Sequence, residues 1–496
     1  MSNTTIAERP PSTAVPTLEN FVGGGWRAAH AQRAIDDRNP ATGELIGRVP
    51  LCGSADVDDA VAAARAALPG WRATSPVVRA RALFRLREVL EAHREELAQL
   101  VTRDMGKTFD DAFAEVGRGI ESVEAAIAMP HLLKGENLEG VARGVDVELV
   151  RQPVGVVAAI TPFNFPAMIP LWFLPFAIGA GNTFVLKPSE QDPLASQRMM
   201  ELIAEIEEIP AGVVNLVHGA HDAVNALLDH PGVDAISFVG SAATARYIHR
   251  RAAENGKRAQ ALGGAKNSMV IMPDADPRLF VRGVLGSAFG AAGQRCLAGS
   301  VAVLVGSERE QDATRDAIVT AARELRTGDG ADPATDVCPL VSPASRERLE
   351  REIEQALSEG AELVLDGRRD GGPGGAELAP TVIDRAPEDS RVLREELFGP
   401  VLALVRVPDL QAAIEWSNHS RYGNSAILFT SSGEAAREFR YQIEAGMVGV
   451  NIGVAAPVAW FPFAGWKSSI DGDLHANGRD AVEFYTRKKV VTERWS

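Results

Sequence analysis

In the middle of the chain, short apolar segments of strand character alternate with segments of helical character. The strand-like segments are residues 154–160, 183–186, 213–217 and 235–238, with helical segments at 194–206, 223–229 and 242–255. A second alternation extends from about residue 264 to about residue 462. This rhythm is typical of parallel sheets whose strands are joined by crossover helices. The sequence therefore predicts an α/β fold, and 496 residues are enough for about two to four domains.

Polar residues follow the second predicted strand directly. In open parallel sheets, ligands bind beyond the carboxyl ends of the strands. Lys187 and Glu190 occupy this place and suit the hydroxyl groups of a ribose, although a surface ion pair is the alternative. If a ribose binds there, Glu190 repels a 2′-phosphate, so NAD is favoured over NADP.

Two further strand ends carry candidate ligand-binding residues. Thr161, Phe163 and Asn164 follow the first strand, and Gly240 and Ser241 follow the fourth. The glycine fingerprint GxGxxG is absent, so a standard dinucleotide loop is not predicted from a motif alone. Ser241 either presents a helix N-terminus to a pyrophosphate or serves only as a helix cap.

Cys296 is the candidate nucleophile. It lies in the small-residue segment 289–300, directly after Arg295. A thiolate is a strong nucleophile, and an adjacent cation favours the ionised form. The alternative is a buried structural cysteine.

Cysteine and histidine usage argues against several classes of protein. The three cysteines are widely separated, which indicates neither a disulfide framework nor a CxxC metal site. His218 and His221 have no HExxH context, so no metal site is predicted. The segment before about Asn20 lacks a signal pattern and is interpreted as a loose tail, which together with the cysteines predicts a reducing, cytoplasmic location.

Charge and hydropathy argue against two kinds of partner. The formal net charge of −15 disfavours nucleic acid and anionic membranes. Residues 165–186 form the most apolar run, but three prolines and two glycines interrupt it. A buried helix followed by a strand is the preferred interpretation of this run over a membrane span.

The first third of the chain is predicted to be mainly helical after an initial turn. Residues 39–44 indicate a turn between short strands, because they combine a proline with a glycine. Residues 54–102 have helical spacing of apolar residues, with interruptions near Pro69 and Pro76. A further helix is predicted around residues 109–128.

A set of motifs resembles the aldehyde dehydrogenase superfamily over about residues 39–495. The motifs are Pro-Phe-Asn-Phe-Pro at 162–166, Lys-Pro-Ser-Glu at 187–190, Phe-Val-Gly-Ser at 238–241, Gly-Gln-Arg-Cys at 293–296 and Glu-Glu-Leu-Phe-Gly-Pro at 395–400. The resemblance implies an α/β fold of the aldehyde dehydrogenase type with three parts. These are a Rossmann-type NAD-binding domain (1–129 and 151–263), an α/β catalytic domain (264–463) and an oligomerisation or bridging segment (130–150 and 464–496).

Segments 162–172, 264–267 and 472–478 resemble one branch, the CoA-acylating methylmalonate-semialdehyde dehydrogenases. The implied reaction is NAD-dependent oxidation of methylmalonate or malonate semialdehyde, with loss of CO₂ and formation of propionyl-CoA or acetyl-CoA. Coenzyme A is then a co-substrate. The alternatives are a hydrolytic semialdehyde dehydrogenase that releases the free acid and a catalytically silent member of the fold.

The resemblance also assigns roles to residues. Cys296 attacks the aldehyde, and Asn164 with the backbone N–H of Cys296 stabilises the resulting oxyanion. Glu396 holds the nicotinamide ribose, and Phe398 packs near the ring. The other positions that match the cofactor site are Thr161, Phe163, Lys187, Glu190, Gln191, Ser241 and Gly263.

A catalytic carboxylate of the hydrolytic enzymes is absent. Those enzymes carry a Glu-Leu-Gly-Gly-Lys motif whose Glu activates water, whereas this chain has Ala261 at the corresponding place in residues 260–266. Water, with a pKa of about 15.7, needs a base, while a thiol near 8.5 is partly ionised at neutral pH. The loss therefore favours a thiol acceptor such as coenzyme A, unless another carboxylate substitutes.

Two arginines match positions that hold the substrate carboxylate in the same branch. Arg118 and Arg295 suit that role, since a guanidinium makes paired hydrogen bonds to a carboxylate. Arg118 is alternatively a surface residue of its helix. Arg295 has a second predicted effect, which is to lower the pKa of Cys296.

Some residues depart from the pattern of the branch. Leu297, Gly299 and Ser268 replace residues often found there, while Trp460, Phe461 and Phe463 crowd the segment predicted to line the substrate entrance. These departures leave the choice between methylated and unmethylated semialdehyde open.

A homo-oligomer, either a dimer or a homotetramer, is also implied. The resemblance places the contact at a hairpin near residues 136–152 and at the C-terminal strand. Residues 482–495 are strand-like and rich in Lys and Arg, as expected of a strand that extends a neighbour's sheet.

Overall fold

The computed structural model describes residues 15–495. The strands are β1 (Asn20–Val22), β2 (Gly25–Arg27), β3 (Ala34–Arg38), β4 (Leu45–Pro50), β5 (Glu136–Ala142), β6 (Val145–Pro153), β7 (Val156–Ile160), β8 (Thr183–Lys187), β9 (Val214–Leu216), β10 (Ala235–Val239), β11 (Arg258–Leu262), β12 (Asn267–Ile271), β13 (Gly299–Val305), β14 (Glu362–Leu365), β15 (Thr381–Asp384), β16 (Val401–Val407), β17 (Tyr422–Gly423), β18 (Ser425–Phe429), β19 (Met447–Val450), β20 (Trp466–Lys467), β21 (Ile470–Asp471) and β22 (Thr486–Arg494). The helices are α1 (Ser54–Ala73), α2 (Pro76–Ala92), α3 (Arg94–Met105), α4 (Phe109–Ile127), α5 (Met129–Leu132), α6 (Met168–Gly179), α7 (Leu194–Ala204), α8 (His221–Asp229), α9 (Ala242–Glu254), α10 (Pro277–Ala288), α11 (Glu308–Arg323), α12 (Pro343–Ser358), α13 (Arg391–Arg394), α14 (Leu410–Asn418), α15 (Gly433–Gln442) and α16 (Gly478–Tyr485).

The N-terminal tail predicted up to about Asn20 lies outside the described residues as far as residue 14. From residue 15 onward the tail prediction is wrong. Leu18 is buried, and the side-chain amide of Asn20 donates to Asp56 at 3.0 Å. This bond ties β1 to α1, and the N–H of Leu18 donates to the carbonyl of Arg48 at 2.9 Å, which ties the residues before β1 to β4.

The first sheet has the order β2-β1-β9-β8-β7-β10-β11-β21, and its five central strands are parallel. Successive residues of β7 face different core clusters, since Val157 packs into one and Val156 into the other. Burial on both faces is the reason that these strands read as continuous apolar runs. From β7 the chain continues to β8 and β9 on one side, and then returns to β10 on the other. Such a reversal opens a crevice at the carboxyl ends of the strands.

The second sheet has the order β14-β15-β16-β13-β12-β18-β19 and is parallel except for β14. Only residues 263–266 separate the end of β11 from the start of β12. The amino end of the second sheet therefore meets the carboxyl end of the first. The α/β prediction with alternating strands and helices is confirmed by these two sheets.

Strands β22, β6 and β5 form a third, antiparallel sheet. The pairing of β22 with β6 runs from Thr486 opposite Pro153 to Arg494 opposite Val145. Every residue of β5 is exposed. Residues 482–485 belong to α16, so the strand predicted from residue 482 begins later than expected. The assignment of this sheet to oligomerisation, and the three-part division into domains, stay predictions.

Two predictions about the helices differ in outcome. Pro76 is the first residue of α2, as expected of a helix-starting proline. Pro69 lies inside α1, so the predicted interruption there is wrong, because its missing N–H removes only one hydrogen bond near the end of that helix. The apolar run 165–186 forms α6 and β8, both fully buried. Within residues 15–495, no helix has the length and apolar character needed to span a membrane.

Candidate active site

Two cavities meet at Cys296. The strand-end cavity is lined by residues that follow β7, β8, β10 and β11, together with residues 396–398. The α4 cavity is lined by one face of α4, by α6 and by the segment 454–463. Because Cys296 borders both cavities and is only half-buried, its interpretation as a buried structural cysteine is wrong.

All of the residues predicted to contact the cofactor line the strand-end cavity. They are Thr161, Phe163, Lys187, Glu190, Gln191, Ser241, Gly263, Glu396 and Phe398, and Asn164 lines the same cavity. The rings of Phe163 and Phe398 meet edge to face, with centroids 5.7 Å apart. Their individual roles stay predictions, but the sequence correctly selects a set of residues that the fold brings together.

The strand-end cavity has features that fit a dinucleotide. Lys187 is buried and donates to Glu190 at 2.9 Å, so this pair lines the cavity and is not a surface ion pair. Thr161 has a buried hydroxyl oxygen without a hydrogen-bond partner among the described residues. Ser241 caps α9 by accepting from the N–H of Thr244 at 3.3 Å, and it also borders the cavity. The hydroxyl of Thr161 and the Lys187–Glu190 pair suit the hydroxyl groups of a ligand, and the N-terminus of α9 suits its phosphates.

Side-chain amides fix the backbone around Cys296. Asn267 and Asn424 donate to the carbonyl of Cys296 at 2.9 and 2.8 Å. Asn267 also donates to the carbonyl of Ala298 at 2.9 Å, and its own oxygen accepts from the N–H of Ser425 at 2.9 Å. The backbone around Cys296, the predicted nucleophile, is thus anchored to the amino ends of β12 and β18.

The electrostatic environment of Cys296 favours the neutral thiol. Burial first, and then the negative charge of Glu396, raise the pKa of the Cys296 thiol to about 12. The N–H groups of Cys296 and Leu297 and the charge of Arg295 lower this pKa, with Arg295 the weakest of the causes. The predicted lowering of this pKa by Arg295 is thus confirmed in direction, but the effect is small, and the guanidinium is paired with Asp111 at 2.8 Å.

Asn164 is held from both ends. Its side-chain nitrogen donates to the backbone carbonyl of Gln294 at 2.9 Å, and its backbone carbonyl accepts from the ammonium group of Lys107 at 2.8 Å. An amide nitrogen carries two N–H groups, so one donor remains for a second acceptor. Gln294 lies two residues before Cys296, which ties the predicted oxyanion donor directly to the segment 289–300, named the nucleophile loop for the predicted role of Cys296.

The strand-end cavity has two carboxylates, Glu190 and Glu396. Glu190 accepts a hydrogen bond from Lys187, whereas Glu396 accepts none from another side chain among the described residues. Burial raises its pKa to about 7, while the N–H of Ala265 and the charges of Lys266 and Arg348 favour the ionised form. A side chain at Gly264 would collide with the Glu396 carboxylate, so only glycine permits this approach. Lys266 is also buried, and its ammonium nitrogen has no hydrogen-bond partner within residues 15–495.

The polar face of α4 supplies three carboxylates to the α4 cavity, and each is paired with a cation. Asp111 pairs with Arg295 at 2.8 Å, Glu115 with Lys107 at 2.5 Å and Glu121 with Arg118 at 2.5 Å. The two arginines predicted to hold the substrate therefore border the same cavity as Cys296. The alternative that Arg118 is only a surface residue is not supported.

The remaining wall of the α4 cavity is mostly apolar, with Ser122 and Asn477 as its polar members. It includes Phe165, Met168, Trp172, Leu297 and Phe463, and the rings of Trp172 and Phe463 pack with centroids 4.7 Å apart. Trp460 and Phe461 are exposed by 54% and 64% and do not line the cavity. Of the three aromatic residues expected to crowd the entrance, only Phe463 does so.

Comparison with known proteins identifies the fold family. The aldehyde dehydrogenase family profile matches residues 26–491. The chain belongs to the aldehyde dehydrogenase family. A malonate-semialdehyde dehydrogenase of Geobacillus kaustophilus is 48% identical over 98% of this chain and 100% of that protein.

Solved structures agree with this assignment. A candidate methylmalonate-semialdehyde dehydrogenase of Sinorhizobium meliloti 1021, complexed with NAD, has a TM-score of 0.95 at 43% identity, covering 98% of this chain and 99% of that one. A methylmalonate-semialdehyde dehydrogenase of Oceanimonas doudoroffii has a TM-score of 0.94 at 45% identity, covering 97% and 99%. The predicted family and fold class are confirmed.

No carboxylate replaces the absent glutamate at its own place in this aldehyde dehydrogenase. Ala261 is fully buried in β11, and Leu262 beside it is also apolar and buried. Gln260 donates to the hydroxyl oxygens of Ser237 and Tyr485 at 2.8 and 3.0 Å, so it is committed to the core.

Sequence reasoning missed several residues that organise the site. Lys107, Glu115 and Asp111 hold loops through long-range bonds, and Asn267 was noted only as part of a motif. One signal was available for α4. Asp111, Glu115 and Arg118 are spaced four and three residues apart, which places them on one face of a helix. A charged stripe on a helix that is otherwise well buried indicates a polar cavity.

Proposed function

We propose that this aldehyde dehydrogenase oxidises malonate semialdehyde or methylmalonate semialdehyde with NAD and transfers the acyl group to coenzyme A. Loss of the substrate carboxylate as CO₂ gives acetyl-CoA or propionyl-CoA. The observation that carries the proposal is the position of Cys296 between a cavity suited to a dinucleotide and a cavity with two arginines. The names of the relatives described above support the same substrate class.

Cys296 is proposed to attack the aldehyde carbonyl and form a thiohemiacetal. The oxygen of this adduct becomes negative and needs donors that are already in place. Asn164 has one free amide N–H, and the backbone N–H of Cys296 is the second donor. Oxidation of the thiohemiacetal leaves a thioester on Cys296.

NAD is proposed to occupy the strand-end cavity and to supply the hydride acceptor. Lys187 and Glu190 are suited to its adenosine ribose, and Ser241 opens a helix toward its phosphates. Glu396 is suited to the second ribose, because its carboxylate lines the cavity and the nearby charges of Lys266 and Arg348 favour its ionised form. The negative charge of Glu190 favours NAD over NADP.

Coenzyme A is proposed as the acyl acceptor because water lacks a free base on the substrate side. The carboxylates of Asp111, Glu115 and Glu121 are all engaged by cations. A thiol ionises near pH 8.5 and needs less help than water with a pKa of about 15.7. Thioester transfer to a thiol therefore proceeds where hydrolysis is slow.

Hydrolysis is the second candidate, and one observation favours it. Burial raises the pKa of Glu396 to about 7, which is suited to a general base at neutral pH. In that case the enzyme releases a free acid, and Glu396 activates the water. Glu396, a base on the cofactor side, then replaces the glutamate that is missing at position 261 in β11.

A product assay separates the two candidates. Each semialdehyde is incubated with enzyme and NAD, with and without coenzyme A, and NADH, thioester and free acid are measured. We expect NADH formation beyond the first turnover to depend on coenzyme A. Equal turnover to free acid without coenzyme A would refute the acyl transfer.

Cys296→Ala is the control for this assay. We expect it to abolish turnover but to retain NAD binding in calorimetry, because the thiol is not needed to hold the cofactor. Absence of NAD binding by the unaltered enzyme would support a catalytically silent protein instead.

We further propose that the enzyme is a cytoplasmic homo-oligomer, either a dimer or a tetramer. The exposed strands β5 and β22 offer two open edges of the third sheet, which suits pairing with another subunit. Size-exclusion chromatography with light scattering tests this part of the proposal.

A further inference from the structure

Arg118 and Glu121 connect α4 to the outer wall of the α4 cavity. Arg118 donates one N–H to Glu121 at 2.5 Å and another to the carbonyl of Pro457. The second oxygen of Glu121 accepts from the N–H of Ala459 at 2.8 Å. A closed set of hydrogen bonds therefore joins the helix to the segment 454–463.

This arrangement fixes the plane of the Arg118 guanidinium. A guanidinium has five N–H donors in a rigid fork. Two of them are used by Glu121 and Pro457, and the others remain available beside the cavity that Arg118 shares with Cys296. The side chain of Arg118 is 37% exposed, so without these bonds it would adopt many rotamers.

We propose that Glu121 is a positioning residue that determines selectivity for aldehydes that also carry a negatively charged carboxylate. It holds Arg118 in the orientation that receives this carboxylate and holds the wall against which the substrate packs. The inference rests on the proposed function and deepens it, since a carboxylated aldehyde is the substrate that needs this arginine.

The other arginine of the cavity has a different task. Arg295 pairs with both oxygens of Asp111 at 2.8 and 2.9 Å, and Asp111 also accepts from the N–H of Ala291 in the nucleophile loop. Ala291 and the next residue have φ angles of 49° and 52°, which are strained for alanine. Asp111 and Arg295 thus stabilise the loop of Cys296, whereas Arg118 contacts only the wall and its own helix.

Glu121→Gln separates the two roles of Glu121, which are to orient Arg118 and to hold the segment 454–463. A glutamine oxygen still accepts from the N–H of Ala459, but the amide cannot bind Arg118 with a full charge. The matched control is Glu124→Gln on the same helix, which breaks an ion pair of 2.9 Å with Arg87 and does not border the cavity.

The experiment compares malonate semialdehyde with propanal, which lacks the carboxylate. We expect Glu121→Gln to lower the ratio of their kcat/KM values by about tenfold, mainly through KM of the semialdehyde. Glu124→Gln leaves the ratio at the value of the unaltered enzyme. An equal fall for both aldehydes, or a higher ratio because Glu121 competes with substrate for Arg118, would overturn the proposal.

An unreactive probe distinguishes failure of this inference from failure of the proposed function. 3-Hydroxypropanoate carries the carboxylate without the aldehyde, and its inhibition of propanal oxidation is measured in both variants. Weaker inhibition only in Glu121→Gln supports the clamp even if malonate semialdehyde is not a substrate. Inhibition that is absent from the unaltered enzyme, or equal in all variants, overturns it.

Discussion

The buried ion pair between Lys107 and Glu115 offers the sharpest test of how the fold supports the site. The two side chains are 1% and 0% exposed and lie 2.5 Å apart. Glu115 also accepts from the N–H groups of Ala167 and Met168 at 2.9 and 3.1 Å, and Lys107 donates to the carbonyl of Asn164 at 2.8 Å. The pair therefore holds Asn164 and the residues that follow it at the start of α6.

Removing one partner leaves the other as an uncompensated buried charge. We expect Glu115→Gln or Lys107→Met alone to reduce the free energy of unfolding by about 3–5 kcal/mol. In the double variant no charge remains, the glutamine oxygen still accepts from the loop, and methionine fills the space beside Phe165. Its stability is expected within about 2 kcal/mol of the unaltered protein, which corresponds to a strong coupling in the double-mutant cycle.

Activity is expected to respond differently from stability. The double variant lacks the donor to the carbonyl of Asn164, and a displacement of the oxyanion donor by about 1 Å can reduce kcat about 100-fold. Urea denaturation gives the stability, and NADH formation gives kcat. Glu88→Gln, which breaks an exposed ion pair of 2.9 Å with Arg85, is the control.

Two results would refute this reasoning. The first is additivity, in which the double variant loses as much free energy of unfolding as the two single variants lose together. The second is full recovery of kcat in the double variant, which would show that Lys107 is not needed to position Asn164.

Three further predictions concern the reacting groups. Asn164→Ala should lower kcat by about 10²–10³-fold while NAD affinity is retained, and a loss below about tenfold would contradict its role as oxyanion donor. Glu396→Gln should shift the alkylation of Cys296 by iodoacetamide to lower pH, because the carboxylate, ionised above its pKa of about 7, raises the pKa of the thiol. A shift to higher pH would show that the two groups do not interact in this way. Asp111→Asn should speed the same alkylation at pH 8, since the unpaired charge of Arg295 then favours the thiolate; an unchanged rate would contradict the effect of the pairing.

The sequence was a reliable guide where residues follow parallel strands. Thr161, Lys187 and Ser241 each follow or end a predicted strand of the first sheet, and the geometry of a parallel sheet brings such positions to one edge. Their grouping therefore follows from the alternation of strands and helices alone. The positions of Glu396 and Phe398 depended on the family resemblance, because they lie far away in the chain.

The supporting residues could not be predicted in the same way. Lys107 contacts Asn164 across 57 positions, and Asn424 contacts Cys296 across 128. Such bonds depend on how the two sheets and α4 are placed relative to one another, which local periodicity does not encode. The start of the C-terminal strand was mispredicted for the same reason, since residues 482–485 belong to α16 although their sequence has a strand-like pattern.

The resting state of Cys296 shows most clearly why adjacency in sequence is a poor guide to electrostatics. Arg295 precedes the thiol directly, yet its guanidinium turns to Asp111, and burial dominates the pKa of Cys296. The N–H groups of Cys296 and Leu297 are then the stronger local groups that favour negative charge at the sulfur. Under the proposed function, these donors and Asn164 would stabilise the negative charge that develops on the aldehyde oxygen when Cys296 attacks. A neutral thiol at rest follows from the same arrangement, since the paired guanidinium leaves no strong cation beside the sulfur.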